Sequence, residues 1–143
     1  MSFEIKQKIS DRIIKSLLCC AIDPGNGGAE YWCTVMHYRF KEGLTLEDFG
    51  EGGKMQGDEY WHPNQLVPLT EGCSLLIEDR VDKAENRNSR LLRLNQAAIQ
   101  KGLEVMAEKY PEHFAHAMDI YRADGETGDV FLQCCLFGEV VYG

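Results

Sequence analysis

The chain has 143 residues, of which 44% are apolar and 27% charged, and its 15 basic and 23 acidic side chains give a formal net charge of -8. This length predicts one domain over residues 1–143, and the apolar content excludes a disordered chain. The acidic balance excludes general binding of duplex nucleic acid, which requires Lys and Arg to displace counterions.

The sequence lacks the features of a membrane or secreted protein. No stretch approaches the roughly 18–20 uninterrupted apolar residues of a membrane span. Residues 1–12 mix acids and bases, whereas a secretory signal begins with a cationic segment. We therefore expect a cytoplasmic protein with no membrane contact, in which the six cysteines are reduced and mostly buried.

The first element in the chain is an amphipathic helix. Apolar residues recur at every fourth position, beginning with Ile5 and ending with Leu17, which predicts a helix over residues 3–20. Ser2 is the expected N-cap, because its hydroxyl can accept from the first backbone amides. The Pro and Gly residues at positions 23–28 end the helix.

A strand and a long irregular segment follow. Residues 31–40, YWCTVMHYRF, are rich in aromatic and β-branched types and contain no Gly or Pro, which predicts a long strand. Residues 43–57 contain five glycines and few apolar side chains, which predicts an irregular segment. A loop of this length in a small domain is usually functional or disordered.

The second half of the chain predicts two more strands and three helices. Residues 73–78 and 91–94 are the strands, separated by a charged hairpin loop. Asn95 caps a helix over residues 96–110, and Pro111 begins a shorter one. Asp129 is the expected cap of a last helix that Gly138 ends, and the tail EVVYG packs against the body or a second subunit. This order predicts an α+β domain in which a small antiparallel sheet is covered by about four helices.

The sequence carries no catalytic motif. His113 and His116 lie three residues apart, as a metal pair would, but no third ligand is evident, and two polar positions flanking a buried helix face explain the spacing better. Cys33 and His37 are too far apart along a strand for a hydrogen bond, and no nucleophile elbow is present. We therefore assign no catalytic residue, metal or cofactor.

Two clusters have the chemistry of a binding site. The basic residues Arg80, Lys83, Arg87, Arg90 and Arg93 lie within residues 80–93 and suit a phosphate or an acidic partner, although they also fit a solvated loop. Tyr60, Trp61 and His62 are aromatic residues that suit an interface or a stacked base, although a loop folded over the core would also need them. The candidate ligand-binding residues are therefore Tyr60, Trp61, His62, Arg80, Arg87, Arg90 and Arg93.

The chain resembles a known group of proteins in three segments: GGAEYW after the first helix, GLEVMAEKYPEHFAHAMD, and DGETGDVFLQCCLFGEVVYG at the C-terminus. They are similar to a family of small uncharacterised bacteriophage and prophage proteins that end in LFGEVVYG. The resemblance implies an accessory, anti-defence role in the host bacterial cytosol, exercised by binding. Some such proteins block a nuclease complex, and others sequester a nucleotide immune signal.

Three functional hypotheses follow from these observations. The first is a homo-oligomeric protein that sequesters a nucleotide second messenger, with arginines on its phosphates and Tyr60 or Trp61 on its base. The second is an acidic inhibitor that docks on a host defence protein or complex such as a CRISPR effector. The third is a small hydrolase or metal enzyme. A homodimer is expected, because the tail and residues 31–40 offer much apolar surface.

Overall fold

The computed structural model describes residues 2–3, 6–50, 53–57, 59–82 and 90–143 of the chain. Its helices are α1 (Asp11–Ile22), α2 (Pro63–Leu66), α3 (Gln96–Lys109), α4 (Pro111–Ala117) and α5 (Gly125–Phe137). Its strands are β1 (Cys33–Arg39), β2 (Lys54–Gln56), β3 (Glu59–Trp61), β4 (Ser74–Asp79) and β5 (Leu91–Leu94). Two 3-10 turns cover Leu46–Phe49 and Val67–Leu69, and residues 80–82 are helical. The predicted α+β class is confirmed.

The main sheet is antiparallel and has the strand order β1-β4-β5. All of β4 is buried, as expected for a central strand, and Ile77 pairs with Val35 of β1 and with Leu92 of β5. The pairing of β1 shifts between Val35 and His37, where a β-bulge places an extra residue in the strand. Because β1 pairs only with β4 among the described strands, its other edge is free.

Helix α5 lies at the centre of the helical layer and packs against both α1 and α3. A Cβ atom at Gly128 of α5 would lie 2.6 Å from the amide nitrogen of Ala21 in α1, and one at Gly102 of α3 would lie 2.8 Å from the Cα of Cys135. The helices therefore approach backbone to backbone, which only glycine permits. The largest side chains with no exposure in this core include Trp32, Phe131, Leu17, Ile77, Leu94 and Met106.

The structure corrects two predicted helix caps and confirms a third. Ser10, not Ser2, caps α1, because its Oγ accepts from the amide of Ile13 at 3.3 Å. Asp124, not Asp129, caps α5, and its Oδ1 accepts from the amide of Thr127 at 2.9 Å. Asn95 caps α3 as predicted. Gly138 also ends α5 as predicted, in the left-handed conformation at φ 75.

The segment predicted to be irregular contains regular structure. Residues 46–49 form a 3-10 turn, and β2 pairs with β3 in a separate two-stranded antiparallel sheet. The sequence predicted a loop at Tyr60 and Trp61. The structure places both residues in the short strand β3. The loop predicted between β4 and β5 starts with helical residues 80–82, and residues 83–89 lie outside the described part of the chain.

The described helices include none long and apolar enough to cross a membrane.

The cysteines form no disulfide in the structure. Four of them are buried and two, Cys19 and Cys20, are half-buried, so the prediction of mostly buried cysteines is confirmed. The C-terminal tail packs within its own chain, where the amides of Val141 and Tyr142 donate to Gln133 Oε1.

Candidate functional site

A pocket of about 410 Å³ lies along β1. Residues 33–38, six consecutive positions of that strand, line it, and its opposite wall comes from the end of α1 and the start of α2. Successive side chains of a strand point to opposite faces, so a pocket lined by consecutive residues must follow the free backbone edge. The polar and charged side chains that reach it include Glu30, His37, His62, Asn64 and Arg80.

Asn64 joins the two walls of this pocket. It is buried, its Oδ1 accepts from the hydroxyl of Tyr38 at 2.7 Å, and its Nδ2 donates to the carbonyl of Ile22 at 2.9 Å. The Ile22 carbonyl lies in the last turn of α1, where the helix leaves carbonyls without intrahelical donors. One amide side chain therefore caps α1 and anchors β1, which fixes the width of the pocket.

His62 enters the pocket as the N-cap residue of α2. Its Nδ1 accepts from the amide of Asn64 at 3.1 Å, while its own amide donates to Gln65 Oε1 at 2.8 Å. Burial lowers the pKa of His62, against a smaller opposing effect of the Asp23 carboxylate. At neutral pH the imidazole is therefore uncharged, and because Nδ1 is an acceptor, its proton lies on Nε2.

Arg80 and Glu30 give the pocket one cation and one anion. Arg80 directly follows β4, and its amide donates to the carbonyl of Trp32 at 2.9 Å. Its side chain is exposed, so the guanidinium is accessible to a ligand. Glu30 is half-buried, and its Oε1 accepts from the amide of Gly25 at 2.9 Å. The pocket can therefore hold a ligand that has both an anionic group and hydrogen-bond donors.

Cys33 does not have the properties of a nucleophile. Its thiol donates to the carbonyl of Ala29 at 3.3 Å. Burial raises the pKa of Cys33 to about 12, with a smaller contribution from the Asp129 carboxylate, so the group stays protonated at neutral pH. Thiol reactivity depends on the thiolate. The pocket therefore lacks the activated thiol that covalent catalysis at this position would need.

Of the predicted ligand-binding residues that the structure describes, only His62 and Arg80 come together at the pocket. Tyr60 is 58% exposed on the β2–β3 hairpin, and Trp61 is half-buried with the Lys15 ammonium 5.8 Å from its ring. The guanidinium of Arg90 lies 5.6 Å from the ring of Phe137.

The remaining predicted arginines lie elsewhere. Arg93 donates to Ser74 Oγ at 3.0 Å, at the opposite end of β4 from Arg80. The six residue steps from Ser74 to Arg80 span about 20 Å of strand. Arg93 and Arg80 therefore cannot share a small ligand. Arg87 lies outside the described residues.

Sequence reasoning missed Glu30, Tyr38 and Asn64 as lining residues of the pocket. Glu30 lies in a turn, and Tyr38 lies beyond a bulge that changes which face a strand residue occupies. The one local signal is Asn64 itself, a polar residue that follows Pro63 at a helix start, shortly before the apolar residues 66–69. Such a polar residue must find partners when it is buried.

Other cavities in the described part of the chain lie away from His62 and Arg80. A larger one of about 570 Å³ lies between residues 7–9 and α3, and its lining combines apolar side chains with the polar or charged residues Gln7, Lys8, Gln100 and Glu104. A smaller one of about 270 Å³ lies beside Arg93 and the start of α3. Among the described residues no three potential ligands cluster for a metal, so His113 and His116 have no third partner there.

No family model matches the chain, and neither a curated protein nor a solved structure matches it significantly. The resemblance to phage and prophage proteins stays a prediction. The candidate site is therefore defined by the geometry of the pocket along β1.

Proposed function

We propose that the protein binds a small nucleotide in the pocket along β1 and sequesters it without chemical change. The observation that supports this is the meeting of His62 and Arg80, which lie far apart in sequence, at one pocket that follows a free strand edge. Together they provide a guanidinium and an imidazole N–H, the donors that suit phosphate oxygens.

The other groups of the pocket fit the rest of a nucleotide. The half-buried carboxylate of Glu30 can accept from a ribose hydroxyl or an exocyclic amine. Ile22 and Val35 offer apolar surface, and the backbone edge of β1 offers alternating donors and acceptors to a base. Small-molecule sites occupy roughly 300–1,000 Å³, and the 410 Å³ here lies near the lower end of that range. We therefore favour a mononucleotide over a dinucleotide.

The resemblance to phage proteins gives this binding activity its expected use. A protein that holds a nucleotide immune signal in the host cytosol would lower the free concentration of that signal, and catalysis is not required.

We also keep the homodimer as a proposal. Because the C-terminal tail packs within its own chain, the proposal now depends on exposed apolar side chains of residues 31–40 outside the pocket, such as Tyr31, and not on the tail.

The proposal is tested by calorimetry and thermal shift with AMP, ADP-ribose and cyclic di-AMP. Arg80→Ala should weaken binding of AMP by about tenfold or more, as for a lost charge-assisted hydrogen bond. Arg93→Ala is the matched control, because it removes the same charge at the other end of β4, and it should leave binding within about twofold of the wild type. If no nucleotide stabilises the wild-type protein, the proposal fails.

A second candidate function, an acidic inhibitor of a defence complex, is favoured by the β2–β3 hairpin. Met55 and Tyr60 face each other across this hairpin and are 57% and 58% exposed. The exposed acids Glu47 and Asp48 lie beside this hairpin. Lys54, which precedes Met55 in β2, donates from its ammonium to the carbonyl of Asp48 at 3.5 Å. An exposed aromatic and an exposed methionine beside acidic side chains suit a basic protein surface.

This second candidate predicts a salt-sensitive inhibition of target cleavage by a purified CRISPR effector. Tyr60→Ala should abolish the inhibition, because it removes the largest exposed anchor of the hairpin. Arg80→Ala should leave inhibition unchanged, since that residue lines the pocket and not the hairpin. Full activity of the effector in the presence of excess wild-type protein would remove this candidate for that complex.

A further inference from the structure

The last residues of the chain are held by hydrogen bonds from their own backbone. The amides of Val141 and Tyr142 both donate to Gln133 Oε1, at 2.7 and 2.8 Å. The amide of Val140 donates to the hydroxyl of Tyr110 at 2.8 Å. The tail therefore has a defined position against the ends of α3 and α5, and the Tyr142 side chain is directed by it.

Tyr142 reaches from the tail to the end of β4. Its ring packs with those of Trp32 and Phe137, at centroid distances of 5.4 and 5.8 Å. Its hydroxyl donates to Oδ2 of Asp79 at 2.7 Å. Asp79 has no exposed surface, so this carboxylate depends on protein donors in place of water.

The same carboxylate organises the residues that carry Arg80. Its Oδ1 accepts from the amides of Val81 at 3.0 Å and Asp82 at 2.9 Å, which starts the helical turn after β4. The amide of Arg80 is held by the carbonyl of Trp32, the residue that packs on the Tyr142 ring. Two contacts of Tyr142, one polar and one aromatic, therefore meet on either side of the Arg80 backbone.

We propose that Tyr142 is a positioning residue for Arg80. Its hydroxyl fixes the rotation of the Asp79 carboxylate, the carboxylate fixes the turn at residues 80–82, and the turn places the guanidinium at the rim of the pocket. The C-terminal tail is thereby part of the binding site although it does not line the pocket. The effect on ligand affinity rests on the function proposed above, whereas the effect on the turn does not.

The first test is amide hydrogen exchange in Tyr142→Phe, which removes one hydroxyl and keeps the ring. Exchange at Val81 and Asp82 should accelerate by about tenfold. Without the Tyr142 hydroxyl, the buried Asp79 carboxylate rotates toward another donor, and its bonds to these two amides weaken. Exchange at Ile77 in the centre of β4 reports global opening and should change much less. Tyr110→Phe is the matched control, since it removes a hydroxyl that holds the same tail through Val140 and not through Asp79.

The second test measures AMP affinity in a double-mutant cycle. Tyr142→Phe should weaken AMP binding by about fivefold to tenfold in the wild-type background. In the Arg80→Ala background it should change AMP binding by less than twofold, because the group that it positions is absent. A role confined to overall stability would give the same loss in both backgrounds.

The two tests separate the failure of this proposal from that of the proposed function. If Tyr142→Phe leaves exchange at Val81 and Asp82 unchanged, or accelerates Ile77 equally, Tyr142 does not position the turn. If AMP fails to bind the wild-type protein, the nucleotide function is lost, and the exchange experiment still decides whether the tail controls residues 80–82. Equal effects of Tyr142→Phe and Tyr110→Phe on that exchange would also overturn the proposal.

Discussion

Replacing Asn64 by Ala should destabilise the protein substantially, because one buried amide joins α1 to β1. The substitution leaves the Ile22 carbonyl without its donor and the Tyr38 hydroxyl without its acceptor. An orphaned buried group costs about 1–3 kcal/mol. Ile22 is buried and Tyr38 is half-buried, so we expect a total loss of about 2–4 kcal/mol, or roughly 5–15 °C in Tm for a chain of this size.

The cost divides between the two partners in a way that a double-mutant cycle can measure. Tyr38→Phe removes only the hydroxyl and should cost about 1 kcal/mol. In the presence of Tyr38→Phe, Asn64→Ala should cost about 1 kcal/mol less than it does alone, because the hydroxyl that it would strand is already gone. Asn64→Asp keeps the acceptor for Tyr38 but buries a carboxylate against the Ile22 carbonyl oxygen, so it should be at least as destabilising as Asn64→Ala.

Urea unfolding followed by far-ultraviolet circular dichroism gives these free energies directly. Gln96→Ala is the matched control, because Gln96 Nε2 donates to the carbonyl of Leu69 at 2.7 Å but is exposed. Water replaces an exposed partner, so this loss should stay below about 0.5 kcal/mol. The reasoning is refuted if Asn64→Ala costs no more than the control, or if its cost adds to that of Tyr38→Phe without coupling.

Three further predictions concern the core, a cap and the thiols. Gly128→Ala should cost about 1–3 kcal/mol in urea unfolding, despite the better helix propensity of Ala, because its Cβ would meet the α1 backbone at 2.6 Å. Asp124→Ala should cost about 1 kcal/mol at pH 7. The Thr127 amide lowers the folded pKa of Asp124 below 3.8, so the charge contribution is complete above 3.8 and is lost as pH falls through the lowered pKa; wild type and variant should then converge in acid. Burial raises the pKa of Cys33 to about 12 and of Cys134 to about 11, so Ellman's reagent should react slowly with native protein and find six thiols after denaturation.

The sequence predicts an element well where the deciding contact is local. Asn95 and Gly138 were located correctly because a cap bonds or bends the backbone within a few residues. The predicted start of α1 was wrong because Ser2 and Ser10 are equally good caps by residue type. The apolar stripe begins at Ile5, before Ser10, and so favoured the earlier cap. Asp129 was wrong for another reason: its carboxylate accepts from Trp32 Nε1 at 2.7 Å, a partner that only the fold brings near.

The candidate site was harder to predict because its chemistry is spread along strands. Tyr60, Trp61 and His62 form one feature in the sequence, yet successive strand residues point to opposite faces. Tyr60 therefore faces outward from the hairpin and Trp61 turns toward Lys15 of α1. His62 lies past the strand end and enters the pocket.

The basic cluster is also divided by a strand, because the length of β4 separates Arg93 from Arg80. Arg93 bonds to Ser74 at the beginning of that strand, and Arg80 follows its last residue. A ligand of the size that the pocket admits can reach only the second of these arginines. Of the pair that remains, His62 is held by the backbone amide of Asn64, and Arg80 by the turn that the buried Asp79 carboxylate caps. Variants that remove a side-chain bond to Asn64 or Asp79 should therefore alter binding, even though neither Tyr38 nor Tyr142 offers the ligand a charge.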